Sequence, residues 1–98
     1  MNIVFFSMDD SENYSLQGTI TKKLRDLHRL YPNMRGAQVN FSKQRDKAGA
    51  DKVCSIDLTH YGESVSVRKQ ATSYDLAAYE AVAGLTRKLD KSTRPIAS

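Results

Sequence analysis

One cysteine and two prolines among 98 residues are scarcities that narrow what this chain can be. A lone Cys54 has no partner for an internal disulfide, which excludes a disulfide-stapled secreted scaffold. No apolar run approaches the roughly 20 residues needed to cross a bilayer. The opening MNIVFFSM has neither the basic segment nor the long apolar segment of a secretory leader. The expected location is the cytoplasm. Also missing are a nucleophile elbow, a phosphate-cradling Gly-rich loop and any Cys/His cluster at metal-ligand spacing. His28 and His60 fall on different elements and are expected as partly exposed surface residues. Cys54 falls in the inward register of a strand, where a small buried hydrophobe is the expected role. The chain therefore reads as a non-enzyme, with no catalytic residue, cofactor or metal.

What is present describes one small folded domain. The hydrophobic fraction of 40%, the charged fraction of 27%, five Tyr and three Phe are those of a globular chain. The length allows a single core and no second domain, so residues 1–92 are expected as one α+β unit and 93–98, with Pro95, as a flexible tail. Fifteen Lys and Arg against eleven Asp and Glu give a net charge of +4 and a pI near 9.3. That bias favours a polyanionic partner.

Periodicity supplies the element order. NIVFFS, residues 2–7, is a short apolar run of strand length. A helix starts somewhere in Ser11 to Ser15, carries Ile20, Leu24, Leu27 and Tyr31 on one face with Leu30 beside them, and ends at Pro32. From Ala37 the period changes to two, with Val39 and Phe41 in phase. Cys54, Ile56 and Leu58 alternate with polar residues in the next strand, HYGES turns the chain, and Val65 and Val67 continue the alternation to about Ala71. Thr72 or Ser73 caps a second helix, with Asp75 positioned for a capping box with Thr72. Tyr74, Ala77, Ala78, Ala81, Val82, Leu85 and Leu89 form its apolar face. The order β-α-β-β-β-α predicts a four-stranded mixed sheet, its first strand parallel to a neighbour. One sheet face is wet and both helices pack on the other. Leu24, Leu27, Phe41, Ile56, Val67, Val82 and Leu85 are the expected core.

Each helix also carries a second, cationic stripe. Lys22, Arg25 and Arg29 recur at intervals of three and four, with Lys23 adjoining and Asp26 as the local acid. Arg87, Lys91 and Arg94 recur likewise, with Lys88 adjoining. Such stripes on a rigid scaffold suit nucleic-acid phosphates. Bases near helix C-termini also favour the macrodipole in a merely solvated face. Arg45, Lys47 and Lys52 of the long hairpin loop, and Arg68 and Lys69 of the last strand, would extend the basic surface. The five tyrosines lack the spacing of an RNA-stacking motif and are expected in the core or at its boundary.

The whole pattern resembles the hibernation-promoting factor family, ribosome-associated translation inhibitors also known as sigma-54 modulation proteins. The resemblance runs from about Met1 to Lys91. It is carried by SLQGTITKKLRDL as the first helix, MRGAQVNF as the following strand and AVAGLTRKLDK, similar to the family's KLxRQLxK close. It implies a fold like that of double-stranded-RNA-binding domains, bound to the small ribosomal subunit near the decoding region. There it would occupy space needed by tRNA and mRNA and hold ribosomes inactive in stationary phase or stress. Carried over by position, Lys22, Lys23, Arg25 and Arg29, then Arg87, Lys88 and Lys91, would touch ribosomal RNA. The sequence departs from the family at Ser73, where an acidic residue is usual, and in a second helix that is alanine-rich and less basic. It is similar to short members without a C-terminal dimerisation domain, so a monomer is expected in isolation. The alternative is a protein-binding regulatory module, for example a sigma-factor modulator with an acidic partner, that keeps the fold without the ribosome.

Overall fold

A computed structural model describes residues 2–7, 14–45 and 47–92. Six elements follow in the predicted order: strand β1 (Ile3–Ser7), helix α1 (Tyr14–Leu30), strands β2 (Met34–Lys43), β3 (Lys52–His60) and β4 (Glu63–Ala71), and helix α2 (Tyr74–Ser92). The sheet order is β1-β2-β3-β4, with β1 parallel to β2 and the other pairs antiparallel. Ser11, where the window for the helix start opened, and the 93–98 tail lie outside the described residues.

The strand registers bring one apolar face together. Phe41 pairs with Cys54, Val39 with Ile56, Ile56 with Val67 and Leu58 with Val65. These side chains are buried under Ile20, Leu24 and Leu27 of α1 and Ala77, Ala81, Leu85 and Leu89 of α2. Both helices therefore lie on one side of the sheet, as the alternating pattern required. The Phe41 ring stacks in parallel with Phe5 at 6.5 Å and meets Tyr74 edge-on at 5.5 Å, joining β1, β2 and α2. Cys54 is fully buried, and burial pushes its thiol up to about 12, so it stays protonated and unreactive.

Several local expectations change. Strand β2 begins at Met34 rather than Ala37, because a register shift between Arg35 and Gln38 interrupts the alternation. Gly36 sits there at a φ of +58°, which glycine adopts without a Cβ clash. The bulge puts Met34 and Ala37, three apart, on the same buried face. The HYGES turn tightens to Tyr61 and Gly62, both left-handed (φ 54° and 78°), as a two-residue hairpin requires. Ser73 caps α2, its Oγ accepting from the Leu76 amide at 3.2 Å. With the cap at Ser73, Asp75 stands one residue short of the box position. Val82 lies on the flank of α2 and is only half-buried, and Leu30 points outward at 72% exposure. Val53 is buried on the face away from the helices. The hairpin loop is tied back at that end of the sheet by Gln44 N–H to the Asp51 carbonyl at 2.9 Å and Gln70 Nε2 to the Ala50 carbonyl at 2.7 Å.

His60 is the largest departure. It was expected near the surface, yet it is 1% exposed, because it continues the inward register of Cys54, Ile56 and Leu58. Tyr31 packs edge-on to it at 6.1 Å, and Tyr61 lies tilted against it at 4.5 Å. Burial holds its pKa below the ordinary 6.5. The unfolded chain thus takes up a proton at His60 before the folded chain does. Stability should be level in this respect above about pH 6.5 and fall as the pH drops below it. Urea midpoints at pH 7.5 and 5.5 test this: the parent should lose stability between them, and His60→Phe should lose less.

Candidate nucleic-acid interface

Helix α1 sets the main stripe by its own geometry. At about 100° per residue, Lys22, Arg25 and Arg29 lie within roughly 60° of one another around the axis, opposite Ile20, Leu24 and Leu27. Burying the apolar triplet therefore forces the bases outward, and all three are exposed. Asp26 pairs with Arg29 at 3.9 Å, a loose and solvated contact worth little. Among the described residues neither Lys22 nor Arg25 has an ion-pair partner.

Lys23 behaves differently. It is half-buried, and its Nζ lies 5.7 Å from the centroid of the Tyr79 ring on α2. That cation–π contact bridges the two helices and makes their outer faces one surface. Tyr79 itself is 62% exposed and Tyr61 61%, whereas the sequence reading put the tyrosines in the core or at its boundary. The helical spacing of Tyr79, off the apolar face of α2, was the available signal.

Helix α2 contributes less charge than its stripe suggested. Its three bases in the described range, Arg87, Lys88 and Lys91, are matched by Asp75, Glu80 and Asp90, while α1 sets four bases against one acid. Arg87 and Lys91 are exposed on the outer face. Lys88 instead leaves it, reaching round to donate to the Ser66 carbonyl on β4, an edge strand of the sheet. This occupies an acceptor on the open edge of the sheet. Close approach permits the reach, since a Cβ at Gly84 would stand 3.0 Å from Val67 Cγ2 and 3.3 Å from Lys69 Cε. Lys69, in register with Val65 and Val67, passes beneath α2 half-buried and does not extend the outer basic surface.

The remaining bases do not join the helical surface as one patch. Arg68 points to the wet face of the sheet and donates to the Gln44 side chain. Lys52 folds inward at the sheet end, 3.0 Å from Asp51 and 6.0 Å from the Tyr74 ring. Arg45 and Lys47 are exposed on the loop. Cys54 and His60 stand six residues apart on one strand, about 20 Å. Among the described residues no three His, Cys, Asp or Glu gather as a metal site, and no helix is long and apolar enough to cross a membrane.

Solved structures match this arrangement over nearly its whole length, among them the following two. A ribosomal subunit interface protein from Coxiella burnetii superposes with a TM-score of 0.81 over 97% of this chain and 100% of its own, at 14% identity. The N-terminal domain of Protein Y from Thermus thermophilus superposes with a TM-score of 0.75 over 94% of this chain and 99% of its own, at 20% identity. The chain has their fold. No family model matches the sequence, and no curated protein does. The α+β architecture is thus shared where few side chains are, and the stripe on α1 must be argued from this chain's own residues.

Proposed function

We propose that the chain is a hibernation-promoting factor, a cytoplasmic, non-enzymatic protein that binds the small ribosomal subunit near its decoding region. It inhibits translation by filling space that tRNA and mRNA need, and so keeps ribosomes inactive under stress. The observation that carries this reading is the exposed row Lys22, Arg25 and Arg29 on the face of α1 opposite the core, with four bases to one acid on that helix. Support comes from the shared fold of a protein described as a ribosomal subunit interface protein. Electrostatic attraction brings the helical face to phosphates, and fit to the RNA surface supplies selectivity. Lys22, Arg25 and Arg29 are the principal contacts, Lys23 a bridge beside them, and Arg87 and Lys91 secondary contacts from α2. Lys88, turned toward the β4 edge, contributes least.

On this reading the isolated protein is monomeric, since the apolar stripes of α1 and α2 are buried in the core. The test is sedimentation of tagged protein through sucrose gradients prepared from growing and starved cells. The protein should travel with small subunits or whole ribosomes, more so after starvation, and should be released by raised salt. Protein that stays at the top of the gradient in both conditions contradicts the proposal.

A further inference from the structure

The ring of Tyr79 touches the fold through Lys23 and leaves most of its surface open. On the same helix Tyr74 packs against Phe41, but Tyr79 leaves 62% of its surface in solvent. It is nevertheless held. Lys23, itself half-buried, approaches within 5.7 Å of the ring centroid from the neighbouring helix. Leu76, three residues earlier and 43% exposed, lies beside it on the helix surface and adds apolar area. An oriented aromatic ring with an apolar shoulder therefore sits where α1 and α2 meet, beside Lys23.

We propose that Tyr79 is a stacking platform for an unpaired base of RNA, with Lys23 fixing the ring, while the stripe of Lys22, Arg25 and Arg29 further round α1 takes phosphates of the same RNA. This rests on the RNA-binding reading above and adds what that reading lacks, a contact to a base instead of to the backbone. Single-stranded RNA is recognised by splaying bases onto aromatic side chains, because every base has a π-face. The lysine at the ring and the net positive charge of α1 make a nucleotide the fitting occupant, since an apolar protein segment would gain nothing from them.

Stacking and phosphate contact separate experimentally by salt. Tyr79→Ala should weaken binding to purified small ribosomal subunits by roughly 5- to 150-fold, the range for loss of one stacked base. The slope of log affinity against log salt should stay that of the parent, because no cation is lost. Tyr79→Phe should bind like the parent, and Tyr79→Leu should fall with Tyr79→Ala. The chain has no tryptophan, so Tyr79→Trp provides a single indole reporter, expected to be quenched and shielded from acrylamide when subunits bind.

Parent-like binding by Tyr79→Ala overturns the proposal. So does full affinity in Tyr79→Leu, which would make the ring a plain apolar contact, or an indole left open to acrylamide in the complex. Failure of the RNA-binding reading looks different: the parent itself would not bind subunits, or would bind with no salt dependence, and the stacking role would fall with it. Tyr79 is exposed, so each variant should keep the fold, and circular dichroism checks that it does.

Discussion

Reversing Lys22, Arg25 and Arg29 together to Glu is expected to abolish co-sedimentation with ribosomes while leaving the fold intact. The fold should survive because all three side chains are exposed and their helix is anchored by Ile20, Leu24 and Leu27 on the other face. Surface substitutions of this kind usually shift stability by only about ±0.5 kcal/mol each. Binding should collapse because three attractions become three repulsions on the helix that carries the net positive charge. Loss of each phosphate contact should lower the salt slope of binding by roughly 0.7 to 0.9, so affinity measured from low to moderate salt counts the contacts directly. Asp26→Lys is the control in the opposite direction. It removes the one acid of α1 and should leave binding equal or stronger. Reversal of Arg87 and Lys91 should weaken binding less than the α1 triple, since α2 carries as many acids as bases. A triple variant that binds like the parent, with the parent's salt slope, would make the stripe a solvated face. The reading of the chain as a regulatory module with a protein partner would then take its place.

Phe41→Ala should destabilise the protein by about 3–5 kcal/mol, the usual cost of removing a buried aromatic ring and leaving its cavity. Phe41 is 1% exposed and touches rings on two other elements, Phe5 of β1 and Tyr74 of α2. Its loss therefore loosens the edge strand and the start of the second helix together. A domain of this length has a total stability of roughly 5–15 kcal/mol, so the variant is expected to be partly or wholly unfolded at 37 °C. Equilibrium urea unfolding measures it. A loss below about 1 kcal/mol would show that the site collapses around the missing ring and that the three elements are held mainly by other contacts.

The parts of the fold legible in the sequence are those with a local cause. Helical spacing of Ile20, Leu24 and Leu27 settled both the buried face of α1 and, by the same 100° step, the outward direction of Lys22, Arg25 and Arg29. Alternation in Ala37 to Phe41, Cys54 to Leu58 and Val65 to Val67 settled three strands and a sheet with one covered face. Pro32 and Ser73 marked helix ends by chemistry that acts within a few residues.

Only the tertiary structure decided what depends on partners distant in sequence. The bulge at Gly36 hid Met34 because a pattern of period two has no place for an extra residue. The register of β3 points His60 inward, and Tyr31 and Tyr61, which reach it only in the folded chain, complete its burial. Lys88 leaves the helical surface because Gly84 lets α2 approach β4 closely enough for its ammonium to reach the Ser66 carbonyl. Tyr79 faces outward by its place on α2, but that its ring meets Lys23 of α1 was decided by how the helices pack. The sequence by itself determined the order of the elements and the cationic face of α1, since periodicity is a local property of the chain. Which of those bases remain available to a partner, and which aromatic ring stands among them, was decided by side chains that meet only once the chain has folded.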